Sequence, residues 1–193
     1  PGPAWCMARR RAACALAAVA GLRFADASPL FLEQYLDGPV EHHLVPAGCA
    51  GRSEIVEIGS LAAPTPGQVR YLMIALTAYL HSAGFRWVVC TAISSVRNTL
   101  ARLGLTPILL GAADPARLGA SAAAWGSYYA EHPRVIAGHL AEAAVRLEAR
   151  VAHPDGALHR LWCSAHELGR RHAVALPATV PPPRTPLGGS ISA

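Results

Sequence analysis

The chain has 193 residues, 52% hydrophobic, 15% charged and 6% aromatic, with a formal charge of +5 and a sequence pI near 9.3, which is one domain's worth of polypeptide. All 17 basic residues are Arg and 39 positions are Ala, so chemistry that needs a lysine ammonium is excluded: Schiff-base aldolases, pyridoxal phosphate enzymes and P-loop phosphotransferases. The charge fraction is too low for a solvated disordered chain, no stretch approaches the roughly 20 apolar residues of a membrane helix, and the basic residues are too dispersed for nucleic-acid binding.

In chain order, residues 1–14 read as an irregular or truncated start. Arg9-Arg10-Arg11, the apolar run to Leu22 and Ala25-Asp26-Ala27 resemble a secretory leader with its small-residue cleavage site. The same run, from Ala15 to Arg23, also reads as a buried β-strand. The expectation is the strand in a cytoplasmic protein, with secretion as the alternative if residues 9–27 are a leader. Five widely spaced Cys without a CxxC pair indicate neither a disulfide framework nor a zinc knuckle, and Cys90 in the run Trp87-Val88-Val89-Cys90 reads as a small buried hydrophobe.

Ser28 to Leu36 has a Ser-Pro start and apolar residues at 31, 32, 35 and 36, the pattern of a short amphipathic helix stopped by Gly38-Pro39. Val40 to Arg52 is turn-rich, and its adjacent His42 and His43 point in different directions, so no metal site is expected. Ser53 to Leu61 alternates as a strand, with Val56 and Ile58 on one face and Ile55 and Glu57 on the other. The turn Pro64-Thr65-Pro66-Gly67 leads into a helix over 68–83, with Gly84 as its stop. A second strand follows at 85–92, a second helix at 93–103 and a third strand at 106–110; this alternation predicts a parallel section of sheet. Beyond a loop and the cluster Trp125-Gly126-Ser127-Tyr128-Tyr129, helices are expected from Val135 to about Val151 and from Ala157 to His172. The expected organisation is a domain over 15–150, a helical extension over 151–176 and a flexible Pro/Gly-rich tail over 177–193.

Several residues could carry chemistry. The turn ahead of Gln68 would aim backbone N–H groups and a helix dipole at an anion, with Arg70 beside it. Glu57 could act as a general base if burial raises its pKa, or could pair with Arg52 or Arg70. Asn98 could bond a ligand amide or face solvent. Tyr128 and Tyr129 could offer a phenol as acid, or pack around a tight turn. No Gly-x-Ser-x-Gly elbow, Walker loop or GxGxxG fingerprint occurs.

The blocks Leu30-Phe31-Leu32-Glu33-Gln34-Tyr35-Leu36-Asp37, Val56-Glu57-Ile58-Gly59-Ser60-Leu61-Ala62, Phe85-Arg86-Trp87-Val88-Val89, Arg97-Asn98 and Trp125-Gly126-Ser127-Tyr128-Tyr129 resemble the thermostable hemolysin family over roughly residues 15 to 140. The family usually has Asn where this chain has Ser60, and an amino-terminal portion of its domain is expected to be missing. At fold level that family resembles the acyl-CoA N-acyltransferases and the acyl-homoserine-lactone synthases. The resemblance implies an α/β fold, a mixed sheet of acyl-CoA N-acyltransferase (GNAT-like) type with flanking helices, in which the strands diverge to admit a pantetheine arm. It implies an acyltransferase with acyl-CoA or acyl carrier protein as donor and no metal. Gly67, Gln68 and Arg70 would then lie at the donor phosphates, Glu57 would be the base, Tyr128 or Tyr129 the acid, and Asn98 the family's helix Asn. The donor loop keeps only one Gly and one Arg of its usual pattern. The acceptor would be a small molecule, and the basic charge suits an acidic carrier protein. The alternatives are direct membrane lysis and a non-catalytic scaffold.

Overall fold

The computed structural model of the chain describes residues 4–9, 16–49, 51–65 and 67–173. Among these residues, six strands form one mixed sheet: β1 (Ala4–Arg9), β2 (Leu16–Phe24), β3 (Ile55–Ala62), β4 (Trp87–Ala92), β5 (Ile108–Ala112) and β6 (Arg134–His139), in the order β1-β2-β3-β4-β6-β5. The described α-helices are α1 (Val40–Leu44), α2 (Gln68–Ser82), α3 (Ser94–Arg102), α4 (Leu140–Arg150) and α5 (Ala157–Ala173). This is the mixed, helix-flanked α/β sheet that the sequence predicts. The predicted tail lies outside the described residues, and no described helix is long and apolar enough to cross a membrane.

Alternation in β3 sorts its side chains as expected. Ile55 joins Trp87, Val89, Val135 and Ala137 in a core on one face of the sheet, beneath the segment that contains Leu32, Tyr35, Val40 and Leu44. Val56 faces the opposite core with Leu22, Leu72, Leu76 and Leu80. A third apolar cluster joins Ile74 and Ala78 of α2 to Ala144 and Leu147 of α4 and Trp162 of α5. Each large side chain so buried stabilises the fold by roughly 1.5–3 kcal/mol.

Several expectations require correction. Residues 4–9 are not irregular but a strand paired antiparallel with β2. The helix predicted over 28–36 shrinks to a 3₁₀ turn over Phe31–Tyr35, its first N–H groups capped by carboxylates and its end set by the extended Leu36. The turn-rich stretch after Gly38 contains the helical turn α1. The three strands of the alternating region are not successive parallel neighbours: β3 and β4 are parallel, but β6 inserts between β4 and β5 and runs antiparallel to both. The helix predicted from Val135 begins only at Leu140, since 134–139 is that inserted strand. There Val135 and Ala137 face one core while the β-branched Ile136 points the other way, and hydrogen bonding on both edges outweighs the helical spacing of Ile136, Leu140 and Ala144.

Helix α5 fits the predicted 157–172 closely and packs along α2 through a near contact of backbones at Gly169. A Cβ there would fall on the Tyr79 carbonyl and the Ser82 hydroxyl, and Ser82 Oγ already donates to the His166 carbonyl across the helix pair at 2.8 Å. Gly169→Ala is therefore expected to destabilise the protein by about 1–3 kcal/mol through overpacking, read as a lower melting temperature with earlier proteolysis of α5.

Candidate functional site

The site begins with a failure of pairing. β3 and β4 are in register only from Ile55 opposite Trp87 to Ile58 opposite Cys90. Beyond that pair β3 stays with β2, through an irregular register in which Gly21 opposes Gly59 and Val19 opposes Ala62, while β4 stays with β6 to Ala92. The extra residue on β3 is accommodated by Ser60 in the left-handed region at φ +50°. Each strand is held by its outer neighbour, so a wedge opens between them.

A cavity of about 580 Å³ passes through this wedge, within the usual range of about 300–1,000 Å³ for small-molecule sites. On one face of the sheet it is lined by Phe31, Tyr35, Glu57, Trp125 and Tyr128. On the other it runs between α2, α3 and α4 over Met73, Leu76, Thr77, Val96, Leu100 and Ala143. Its far end reaches His139, Glu142 and Arg146.

Glu57, 5% exposed, is the buried carboxylate of this site. Its Oε2 accepts the Phe31 N–H at 2.8 Å and its Oε1 the Leu32 N–H at 3.0 Å. Arg23, directly opposite on β2, places a guanidinium nitrogen 3.7 Å from Oε2. The expected partners Arg52 and Arg70 do not reach Glu57. Arg52 is held by Glu33 and Glu41, each at 2.6 Å, and Arg70 stacks on Tyr71 with its guanidinium carbon 4.9 Å from the ring centroid. Burial pushes the Glu57 carboxyl above its ordinary range despite the opposing pull of the two N–H groups and Arg23. Glu33 goes the other way: burial alone would raise it, but Arg52 and the N–H groups of Val40 and Leu30 hold it below the ordinary carboxylate value.

The aromatic cluster divides into two roles. Tyr128 lines the cavity, donates to the Thr91 carbonyl at 3.2 Å, and is pushed up to about 12 by burial. Tyr129 is outside the lining and hydrogen-bonds the hydroxyl of Tyr35 at 2.7 Å; burial and that bond raise Tyr35 further. Trp125 joins the pair, 5.2 Å from Phe31 and 5.3 Å from Tyr128 between ring centroids. Gly126 at φ +53° permits the sharp bend that brings Trp125 and Tyr128 to the same wall.

The other predicted residues lie elsewhere. Gly67 caps α2 at φ +90°, but Gly67, Gln68 and Arg70 are not in the cavity lining. The Gln68 N–H donates to the Thr65 carbonyl and the Arg70 N–H to the Gly67 carbonyl, so these two donors close the turn on itself. Asn98 is exposed on α3, outside the lining. Sequence reasoning missed Arg23 and Tyr35; opposite charges at positions 23 and 57 become a signal only once the β2–β3 register is known. Among the described residues no group of three or more His, Cys, Asp or Glu could hold a metal ion.

The sequence model of the thermostable hemolysin family matches residues 3–144. No curated protein matches the chain. Among solved structures, BjaI, a CoA-dependent acyl-homoserine lactone synthase with SAM and isopentyl-CoA, is similar with TM-score 0.50 at 13% identity, over 84% of this chain and 73% of that one. TofI in an apo form gives TM-score 0.49 at 18% identity, over 75% of this chain and 71% of that one. The likeness to BjaI is one of fold, an acyltransferase-like sheet.

The wedge depends on the bulge at Ser60, an exposed residue in a conformation that costs an ordinary L-residue roughly 1–2 kcal/mol and that Asn adopts more readily. Ser60→Asn is expected to raise the melting temperature by about 2–4 °C, equivalent to roughly 1 kcal/mol, in thermal unfolding.

Proposed function

As the chain belongs to the thermostable hemolysin family and shares its fold with an acyl-homoserine lactone synthase, we propose that it is an acyltransferase taking its acyl group from a thioester donor, acyl-CoA or an acyl carrier protein. The observation that carries this reading is the apolar cavity running through the parted β3 and β4, with ionisable groups on its wall. A hydrocarbon chain fits between α2, α3 and α4, and its thioester would then lie at the wedge beside Glu57 and Tyr128.

In the proposed step the acceptor's nucleophile, an amine or hydroxyl, attacks the thioester carbonyl and gives its proton to Glu57. Each Glu57 oxygen already accepts one N–H and keeps a further lone pair for this proton. The carbon–sulfur bond breaks, and the thiolate takes a proton from Tyr128, whose raised pKa keeps it protonated at neutral pH. Transfer of the Glu57 proton to the tyrosinate, directly or through water, restores the starting state. Arg23 and the Phe31 and Leu32 N–H groups orient the carboxylate. Tyr129 acts through Tyr35 as a positioning residue. Asn98 and the group Gly67, Gln68 and Arg70 have no place in this step; the turn and Arg70 could contact only the part of a donor outside the cavity.

Two experiments test the reading. Thermal unfolding with CoA, acetyl-CoA and decanoyl-CoA is expected to show stabilisation by decanoyl-CoA, roughly 5–10 °C at a hundredfold excess over Kd. Ala143→Trp, which fills the apolar lining from α4, abolishes that shift. No shift with any thioester on the folded protein leaves the scaffold and membrane-lysis alternatives. The second experiment is the pH profile of transfer. Because the Glu57 pKa is raised, activity is lost as pH falls through a value above the ordinary 4.5. Glu57→Gln removes that limb and lowers kcat by about 10²–10⁴-fold.

A further inference from the structure

The far end of the cavity is chemically unlike its middle. There Arg146 stands beside the apolar Leu100, Leu105 and Ala143, with Thr106 and Glu142 also in the lining. Beside this opening two arginines of α4, Arg146 in the lining and Arg150 outside it, reach the carboxyl end of α3. Arg146 Nη1 donates to the Gly104 carbonyl at 3.5 Å and Arg150 Nη1 to the Arg102 carbonyl at 3.1 Å. A Cβ on Gly104 would sit 3.1 Å from the second Arg150 terminal nitrogen, and the φ of +74° there brings the turn under both guanidinium groups. A helix carboxyl end attracts cations, which holds Arg146 and Arg150 side by side there. Each of the two donating guanidiniums spends one N–H on a carbonyl and retains others for a ligand. Glu142 is the acidic lining residue at this end, and it leans toward His139, 3.9 Å away.

We infer that this rim, with Arg146 at its centre, binds the anionic end of an amphiphile whose hydrocarbon occupies the cavity. The occupant is a medium-chain molecule carrying a carboxylate or phosphate. Such a molecule satisfies both parts of the site, because the apolar walls take the chain and a guanidinium takes the anion in a charge-assisted pair. The inference needs only the cavity and stands apart from acyl transfer.

The test compares decanoate with decanol, both below micelle formation, by calorimetric titration of the full chain. Decanoate is expected to bind about tenfold more tightly than decanol, a gap of about 1.4 kcal/mol, and added salt should shrink the difference. Arg146→Gln closes the gap and Arg146→Lys keeps most of it, while the unliganded melting temperature of each variant verifies folding. Decyl phosphate distinguishes the anion: if Arg146→Gln weakens it as it weakens decanoate, the rim takes either anion, and if decanoate alone is weakened, it reads a carboxylate. Equal binding of decanoate and decanol, survival of the gap in Arg146→Gln, or no decanoate binding overturns the inference. Acyl transfer by a protein that treats the two decyl compounds alike leaves the acyltransferase reading standing and removes this one. Tight decanoate binding without transfer does the reverse.

Discussion

The parting of β3 and β4 beyond Ile58 and Cys90 creates the interior of this protein. Two parallel strands left to themselves would continue their ladder, since every backbone N–H and C=O without a partner costs free energy. Here each strand has a better offer on its outer edge: β2 holds β3 through the bulge at Ser60, and β6 holds β4 to its end. The insertion of β6 is thus part of the site, although it contributes few of its walls. The gap is lined with apolar side chains from three helices, so an apolar occupant is its natural content.

Two charged centres close one face of the wedge. Glu57 binds the N–H groups of Phe31 and Leu32, while Arg52 gathers Glu33, Glu41 and the Ala25 carbonyl into a second knot. Together they fix the segment that delivers Phe31 and Tyr35 to the cavity. The two knots differ in electrostatics. Glu33, partly open to solvent and directly paired with Arg52, is held ionised. Glu57 is buried more deeply and faces a more distant guanidinium, so burial prevails and its proton affinity rises. One carboxylate therefore has a structural task and a raised pKa at once, which makes it the group on this wall best placed for proton transfer.

How much of this was legible depended on the range of the interaction concerned. The α2 and α5 helices and the inward and outward faces of β3 were readable because period 3.6 and period 2 are local properties. Glu57 and Tyr128 were readable as candidates because a carboxylate on an apolar strand and a phenol beside a glycine turn stand out in sequence. The strand β6 was not readable: its few residues share a helical stripe with α4, and only the presence of β4 and β5 on either side decides for the strand. Arg23 is separated from Glu57 by 34 positions and becomes its neighbour through register alone. The donor turn read plausibly as an anion site, yet the Gln68 and Arg70 N–H groups are spent within it.

The sequence by itself determined the composition of the core, the type of most elements, the absence of lysine chemistry and the family to which the chain belongs, because these follow from residue identity and short-range spacing. Only the tertiary structure decided that β6 separates β4 from β5, that Glu57 pairs with Arg23, that Tyr129 supports Tyr35 while Tyr128 faces the cavity, and that Arg146 stands at its far mouth beside Arg150. Those outcomes rest on hydrogen-bond register and on side chains converging from distant segments. No local pattern encodes which edge of a strand will be taken first.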